Sequence, residues 1–465
     1  MTATRNATPR AAVRSPQNVL RVVREYADVA LLVGLLVALG AFGRPFTKLG
    51  ADDANIYVTE VVLVLIAVAT VARHGIRESW ALLRERLPWI PLLVFWVIGA
   101  YALLRGLADY SLKLVSYDVA MAEYSLLIPL IALVADTRRR LHWVLGAIAG
   151  GGVASVLLSI PDIWVGDAIW ALDRASPAPA LTLYLTLLVV WVGVRLTQRI
   201  RTSPWLIAAG FAALTLIAVE QRRSAWLAVI AAAVVAAALA PAGRRLVSGG
   251  VVVVAITATA ALSIPLGEAG TVGADEPTAS GGGGGGAVQA PEQQALREIS
   301  GIVENRNDGE SENVRWRLDI WQHNLEESVH HPLFGVGFGE PTRFVWRDQR
   351  YDFRVGASGG LFDVTGPHND FVHYVQRMGW LGLFAVIAIV VVAVRRVWPW
   401  VQRSAAGDAE RTAVVTLVAM LAAVAAMASF NDALKGPFMG PFWWIVLGLM
   451  LVVPWLLAPP AARER

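Results

Sequence analysis

The sequence predicts an all-α, polytopic membrane protein with about twelve transmembrane helices and one large extracytoplasmic loop between the ninth and the tenth. Three observations predict this fold class. The 465 residues are 56% hydrophobic and contain repeated apolar runs of roughly 20 residues, the length that crosses a bilayer. Arginines recur in alternate connections between these runs. A single long hydrophilic segment separates the ninth run from the tenth.

The apolar runs define the predicted spans. They are centred near Leu35, Leu65, Val97, Leu127, Gly150, Leu188, Ala212, Ala231, Thr257, Ile387, Val418 and Gly448. The first run begins at about Ala27, after a basic segment that lacks a small-residue cleavage site. We therefore expect a spanning helix there and not a removable signal peptide.

The arginines predict the orientation, because basic loops are retained on the cytoplasmic side of a membrane. The N-terminal segment and the connections after spans two, four, six, eight and ten are arginine-rich, so both termini are expected in the cytoplasm. The expected organisation is a cytoplasmic segment at 1–26, spans one to nine at 27–266, an extracytoplasmic loop at 267–378, spans ten to twelve at 379–458 and a cytoplasmic tail at 459–465.

The composition excludes several kinds of chemistry. The chain has no cysteine, which excludes disulfides, thiolate nucleophiles and cysteine metal sites. The net charge of +4 follows from the arginine-rich connections, so no nucleic acid is expected as a partner.

The long loop combines a flexible part with an ordered part. Gly281–Gly286 is an unbroken glycine run that predicts a flexible strap. Ser311 is expected to cap a helix over 312–328. The sequence GVGFG at 335–339 lacks the lysine of a P-loop and is expected to form a tight turn after Pro332. Its backbone N–H groups are candidate phosphate contacts.

Charged side chains and one histidine gather near the predicted outer ends of the spans. They are Glu60, Arg105, Lys113, Glu123, Arg222, Arg223, Arg317, His368, Asp432 and Lys435. Ionisable groups in or beside a span are costly to place there, and by default they indicate a functional site.

These residue types together suit transfer of a glycan from a lipid diphosphate. Arginine presents a permanently charged fork to phosphate oxygens, and histidine accepts a proton from an attacking hydroxyl near neutral pH. The alternative is that Arg222 and Arg223 reach to lipid headgroups and that His368 is a surface or capping residue. His368 and His373 are five residues apart, unlike an HExxH site, so no metal is expected.

Three motifs resemble the O-antigen ligase and polymerase superfamily. QRRSAWLA at 221–228 is similar to the family's Ser-Arg-Gly/Ser-Ala motif, although Arg222 replaces the usual serine. RLDIWQHNLEESVHHPLFGVGFG at 317–339 is similar to its Arg-x-x-x-Trp segment followed by Pro-Leu-x-Gly-x-Gly. PHNDFVHYVQRMGWLG at 367–382 is similar to its His-Asn motif before span ten. The resemblance covers spans seven to twelve.

The resemblance implies a GT-C-like membrane glycosyltransferase without cofactor or metal. Such enzymes transfer a glycan from undecaprenyl diphosphate to an acceptor hydroxyl, with inversion, on the outer face of the bacterial inner membrane. The implied catalytic residues are Arg223, Arg317 and His368. The residues expected to bind the diphosphate or the sugar are Arg222, Asp432, Lys435, Glu123 and Arg105.

Two alternatives to a ligase remain open at this point. A polymerase of the same superfamily would use a second lipid-linked repeat as the acceptor, whereas a ligase uses a different glycan or glycolipid. A lipid or polysaccharide transporter is the third hypothesis. The enzyme is favoured over the transporter, because the two halves of the sequence show no internal repeat of the kind that transporters carry.

Overall fold

A computed structural model of the chain describes residues 16–49, 56–165, 178–219, 223–241, 309–346, 349–352, 366–403 and 408–458. Predicted span nine, the strap Gly281–Gly286 and Arg222 lie outside these ranges. The described residues are mostly helical, as the sequence predicts.

The described ranges contain fourteen α-helices. They are α1 (Pro16–Thr47), α2 (Val58–His74), α3 (Ile76–Arg86), α4 (Trp89–Asp109), α5 (Leu112–Glu123), α6 (Leu127–Val134), α7 (Arg138–Val165), α8 (Ala178–Thr197), α9 (Pro204–Val219), α10 (Arg223–Ala238), α11 (Gly309–His330), α12 (Asp370–Arg403), α13 (Ala409–Ala428) and α14 (Gly440–Leu457). A 3₁₀ turn at Tyr124–Leu126 continues α5 into α6.

Two short antiparallel hairpins depart from the all-α prediction. β1 (Lys48–Leu49) pairs with β2 (Ile56–Tyr57) in the first, and β3 (Arg343–Trp346) pairs with β4 (Gln349–Asp352) in the second. Both hairpins lie in connections between helices, where hydrophobic periodicity gives no signal.

Seven helical segments in the described part of the chain are long and apolar enough to cross a membrane. An eighth crossing results if α2 and α3, which are bent by 103° relative to each other, form one broken span. Shorter apolar segments lie within α8, α9 and α10, at Thr182–Thr197, Pro204–Ile217 and Ser224–Ala238. Every predicted span centre within the described ranges falls in a helix, while the total of twelve and the position of the large loop stay predictions.

Helix α14 is the centre of the bundle. It contacts α6, α12 and α13, and nearly all of its residues from Gly440 to Val453 are buried. The fully buried rings of Trp443 and Trp444 lie on this helix. A helix that is apolar on every side is expected in the interior of a bundle. The loop before α14 is therefore anchored to the most enclosed element of the described fold.

Small residues allow α1 and α7 to cross closely. A Cβ on Gly40 would lie 2.5 Å from the Cα of Gly151, so neither residue tolerates a side chain at the crossing. The hydroxyl of Ser155 donates a hydrogen bond to the carbonyl of Gly40 at 2.5 Å, and Tyr184 of α8 donates to Leu36 at 2.6 Å. Close backbone approach with interhelical hydrogen bonds is typical of membrane bundles.

A buried ionic cluster joins four segments at the arginine-rich end of the helices. Asp28 of α1 has no exposed side-chain surface and lies 3.2 Å from Arg73 of α2 and 3.2 Å from Arg140 of α7. Arg73 also lies 3.2 Å from Asp136, which links α6 to α7. Because these charges compensate one another, the cluster fixes the helix ends on the side predicted to be cytoplasmic.

Candidate active site at one end of the bundle

Helix α11 carries the second predicted arginine to the site. This helix begins at Gly309, earlier than predicted, so Ser311 lies in its first turn and not at the N-cap, and that prediction is wrong. The Arg317 guanidinium donates to the carbonyl of Phe430 at 3.0 Å, in the loop between α13 and α14. One turn later, the Trp321 indole donates to the carbonyl of Pro367. Helix α11 therefore contacts both loops that flank the site.

The turn from Gly366 to Asp370 presents the predicted histidine. His368 has a φ of +51°, in the left-handed region that residues with a side chain rarely adopt. Directly after it, the Asn369 carboxamide oxygen accepts from the amides of Phe371 and Val372 at 3.0 and 3.2 Å and so caps α12. The Asn369 cap therefore fixes the start of α12 directly after the strained His368.

The loop between α13 and α14 brings a carboxylate and an ammonium group to the imidazole. Nδ1 of His368 lies 3.9 Å from Oδ2 of Asp432, and Nζ of Lys435 lies 3.5 Å from the same oxygen. A Cβ on Gly366 would lie 2.8 Å from Nζ of Lys435, so the turn packs directly on this loop. The ring centroid of Trp316 is 5.8 Å from that of His368. The imidazole keeps 34% of its surface exposed, which leaves it accessible to a substrate.

The surroundings favour the neutral form of His368. Burial lowers its pKa below the ordinary value of 6.5, Asp432 opposes this shift, and Arg317 and Lys435 reinforce it. Burial alone would raise the pKa of Asp432, but Lys435 and His368 outweigh it and hold that pKa below its ordinary range. Burial lowers the pKa of Arg317 as well, against the attraction of Asp432, although a guanidinium stays charged in a protein. A neutral imidazole beside fixed positive charges is the protonation state that a general base requires.

A second buried cluster was not predicted from the sequence. The carboxylate of Asp118 in α5 accepts from the Gly339 amide at 2.9 Å and lies 2.8 Å from Nε of Arg377 and 3.2 Å from Nε2 of His373. All three of these side chains are almost fully buried. A charge inside an apolar run and the i, i+4 spacing of His373 and Arg377 were the available signals. The cluster ties α5 to α12 below the His368 turn.

The glycine loop, residues 335–339, has a structural role and is not a phosphate-binding loop. Its amides donate in order to the carbonyls of His331, Gln376, Arg377 and Ala102 and to the carboxylate of Asp118. Because the five N–H groups already have protein acceptors, the expectation that they are phosphate contacts is wrong. The loop instead packs between α4 and α12.

Arg105, a residue of α4, contacts the glycine loop. Its guanidinium donates to the carbonyl of Gly335 at 2.9 Å, and its side chain lines the space in front of Gly337. The structure therefore brings Arg105 to the glycine loop, and its expected role in binding substrate stays a prediction.

The remaining predicted site residues are described to different extents. Arg223 begins α10, while its side chain and that of Lys113 are not among the described ones, and Arg222 lies outside the described ranges. Glu123 is the last residue of α5 and lies within electrostatic range of Glu60. The structure thus places Asp432 3.9 Å from His368 and 3.5 Å from Lys435, and it attaches Arg317 to the carbonyl of Phe430 in the same loop. Whether Arg223 completes this group stays a prediction.

The fold and the site define a polytopic, helical membrane protein with basic groups and an imidazole collected beside one end of the bundle. Residues 207–387 match the sequence model of a family described as O-antigen ligase. This part of the chain is therefore similar to the O-antigen ligase family, which confirms the resemblance that the three motifs indicated. It contains Arg317 and His368, whereas Asp432 and Lys435 follow it. No curated protein matches the chain.

Proposed function

We propose that the protein is a membrane glycosyltransferase that transfers a glycan from an undecaprenyl-diphosphate-linked donor to an acceptor hydroxyl. The observation that carries the proposal is the position of an accessible His368, whose neutral form is favoured, beside the Asp432–Lys435 ion pair and within electrostatic range of Arg317. The match of residues 207–387 to the O-antigen ligase family supports the same reaction class.

In the proposed reaction the acceptor oxygen attacks the anomeric carbon as the bond from that carbon to the diphosphate oxygen breaks. The hydroxyl proton passes to the nitrogen of His368 that faces away from Asp432, and the bond electrons leave with the diphosphate. A single displacement of this kind inverts the anomeric configuration. Asp432 stabilises the imidazolium that forms, because an opposite charge within about 4 Å favours the charged form.

The leaving diphosphate requires positive charge and no metal ion in this scheme. Arg317 is anchored through Phe430 beside the histidine, and preorganised cations at developing negative charge are a principal source of catalysis. Arg223 is proposed as the second catalytic arginine and Arg222 as its assistant, on the motif at 221–228. Lys435, Glu123 and Arg105 are proposed to bind the sugar or the diphosphate.

The proposed location is the bacterial inner membrane, with both termini in the cytoplasm and the site on the outer face. The alternation of arginine-rich connections supports this orientation. The proposed partners are the lipid-linked donor, a glycan or glycolipid acceptor and the bilayer itself.

The decisive experiment supplies the purified protein with polyprenyl-diphosphate glycan in detergent, with and without a foreign acceptor. A single product that needs the foreign acceptor indicates a ligase, and a ladder without it indicates the polymerase of the same superfamily. Arg317→Ala should abolish either product while the protein still accumulates in the membrane. Loss of transfer in EDTA would contradict the metal-free scheme. No turnover, together with movement of the lipid across vesicles, would replace the enzyme with a transporter.

A further inference from the structure

The His368 turn and the loop between α13 and α14 are joined by a side chain that has no predicted role. Asp370, the first residue of α12, places Oδ2 at 2.7 Å from the amide of Ala433 and at 2.8 Å from the amide of Leu434. Asp370 is fully buried, so it does not touch a substrate. Its other oxygen, Oδ1, has no hydrogen-bond partner within the described part of the chain.

The two amides belong to the residues that directly follow Asp432. A buried carboxyl oxygen that accepts from two consecutive backbone N–H groups fixes the orientation of that peptide segment, because leaving either N–H group without its partner is costly. The direction in which the Asp432 side chain leaves the backbone is therefore set by Asp370. Asp370 itself is two residues after His368, in the same turn.

The contact between His368 and Asp432 cannot hold this geometry by itself. The 3.9 Å between Nδ1 and Oδ2 exceeds the length of a hydrogen bond, so the pair has no directional bond of its own. Arg317 and Trp321 attach α11 to both segments, but each donates to a backbone carbonyl outside the Asp432–Lys435 stretch. The hydrogen bonds from Ala433 and Leu434 to Asp370 do align this stretch with the turn.

We propose that Asp370 is a positioning residue that holds the Asp432–Lys435 loop in register with the His368 imidazole. Its consequence for the reaction rests on the proposed function, because it acts through the base. Its effect on the pKa of the imidazole does not rest on that function, because the charges that face His368 come from Asp432 and Lys435 on this loop and from Arg317 on α11. Of the two charges on the loop, the Asp432 carboxylate has the larger influence.

The test measures the imidazole itself in the purified full-length protein. Diethyl pyrocarbonate reacts with neutral imidazole, so peptide mass spectrometry across a pH series gives the midpoint at which His368 takes up a proton. Asp370→Asn keeps the shape of the side chain and weakens the hydrogen bonds that it accepts from the two amides. We expect the midpoint to fall by about 0.5 pH unit or more, because the stabilising carboxylate moves away. Glycosyl transfer should fall in the same variant.

Three further variants make the test specific. Asp370→Glu keeps the carboxyl group but displaces it, so it should also lower the midpoint, whereas an effect of the chemical change from carboxyl to amide alone would appear only in Asp370→Asn. In the Asp432→Asn background, Asp370→Asn should cause no further fall, since the group through which it acts is gone. Glu326→Gln, on the exposed face of α11, is the matched control and should leave the midpoint unchanged.

Two outcomes would overturn the proposal. One is an unchanged midpoint in well-folded Asp370→Asn and Asp370→Glu. The other is a double variant in which the midpoint falls by the sum of the falls in the Asp370 and Asp432 single variants. If Asp370→Asn does not accumulate, Asp370→Glu and its double variant with Asp432→Asn carry the same comparison. If the variants show these shifts but the wild-type protein transfers no glycan, the proposed function is refuted and the positioning role stays intact.

Discussion

His368 holds a backbone conformation that costs of order 1–3 kcal/mol for a residue with a side chain. The conformation persists because its neighbours on both sides are fixed. Trp321 holds the carbonyl of Pro367, and Asn369 caps α12. Residues held in such strain are concentrated at functional sites, and this one points an accessible imidazole toward two charged side chains.

Replacement of the imidazole should stop the reaction and leave the fold intact. His368→Gln removes the proton acceptor, so transfer from polyprenyl-diphosphate glycan should fall by about 10²-fold or more. The measurement is the initial rate of product formation on a gel, with melting in detergent as the test of folding. His330→Gln, at the exposed end of α11, is the control and should keep its activity. Equal rates in the two variants would remove His368 from the mechanism.

The acidic limb of the pH profile should lie below pH 6.5, because burial lowers the pKa of His368 from that value. The base works only while it is neutral, so transfer is lost as the pH falls through this lowered pKa. Asp432→Asn removes a charge that raises the pKa and should move the limb to lower pH. Lys435→Gln removes one that lowers it and should move the limb to higher pH. The measurement is the pH dependence of kcat/KM for each variant. If its midpoint shifts in the same direction in Asp432→Asn and Lys435→Gln, this electrostatic arrangement is contradicted.

The sequence predicted the site residues that belong to short motifs and missed those that meet only in three dimensions. Arg317 and His368 were found because each lies in a recognisable stretch. Asp118 and Arg377 are separated by more than half of the chain, and a single sequence carries no signal that pairs them. Asp370 was part of a quoted motif, but its partners in the last loop could not be known.

At the scale of elements, the glycine loop completes a broken helix. Gly379 within α12 has a φ of +68°, which interrupts the helical hydrogen bonds around it. The carbonyls of Gln376 and Arg377 that lose their helical partners accept from Val336 and Gly337 of the loop instead. Buried backbone groups require partners in a membrane, so the break and the loop depend on each other.

Gly379→Ala should destabilise the protein through this dependence. A Cβ there would overlap the carbonyl oxygen of Leu333, and the positive φ is unfavourable for alanine. We expect a loss of about 2 kcal/mol or more in the free energy of unfolding, seen as a lower melting temperature in detergent. Gly146→Ala is the matched control, because Gly146 lies in α7 with open space around it and alanine favours a helix. A variant at Gly379 that melts like wild type would contradict the role of the break.

Helices were predictable at this scale because apolar runs of membrane length leave the backbone few alternatives. The predicted centres at Leu35, Val97 and Gly448 fall within α1, α4 and α14. The sharp bend between α2 and α3 was not predicted, since Gly75 alone does not fix an angle of 103°. Hairpins β1–β2 and β3–β4 were missed, because their strands are too short for an alternating pattern.

At the scale of the whole molecule, the ionic cluster around Asp28 should control stability independently of the site. Asp28→Asn leaves Arg73 and Arg140 buried with less compensating charge, and removal of one partner of a buried pair costs about 3–5 kcal/mol. The melting temperature in detergent should therefore fall. Glu78→Gln is the control, because Glu78 is 64% exposed and lies 3.7 Å from His74 at the rim. Similar melting of the two variants would show that the cluster is dispensable.

The orientation of the whole chain can be tested with single cysteines, since the chain has none of its own and labelling has no background. Glu326 lies on the exposed face of α11, and Arg84 is an exposed residue in the last turn of α3, at the arginine-rich end. Basic loops stay in the cytoplasm, so Glu326→Cys should react with an impermeant maleimide in intact spheroplasts, and Arg84→Cys only after permeabilisation. The reverse pattern would put His368 on the cytoplasmic face. The arginines that orient the chain thereby also decide whether the site can meet a donor presented on the outer leaflet.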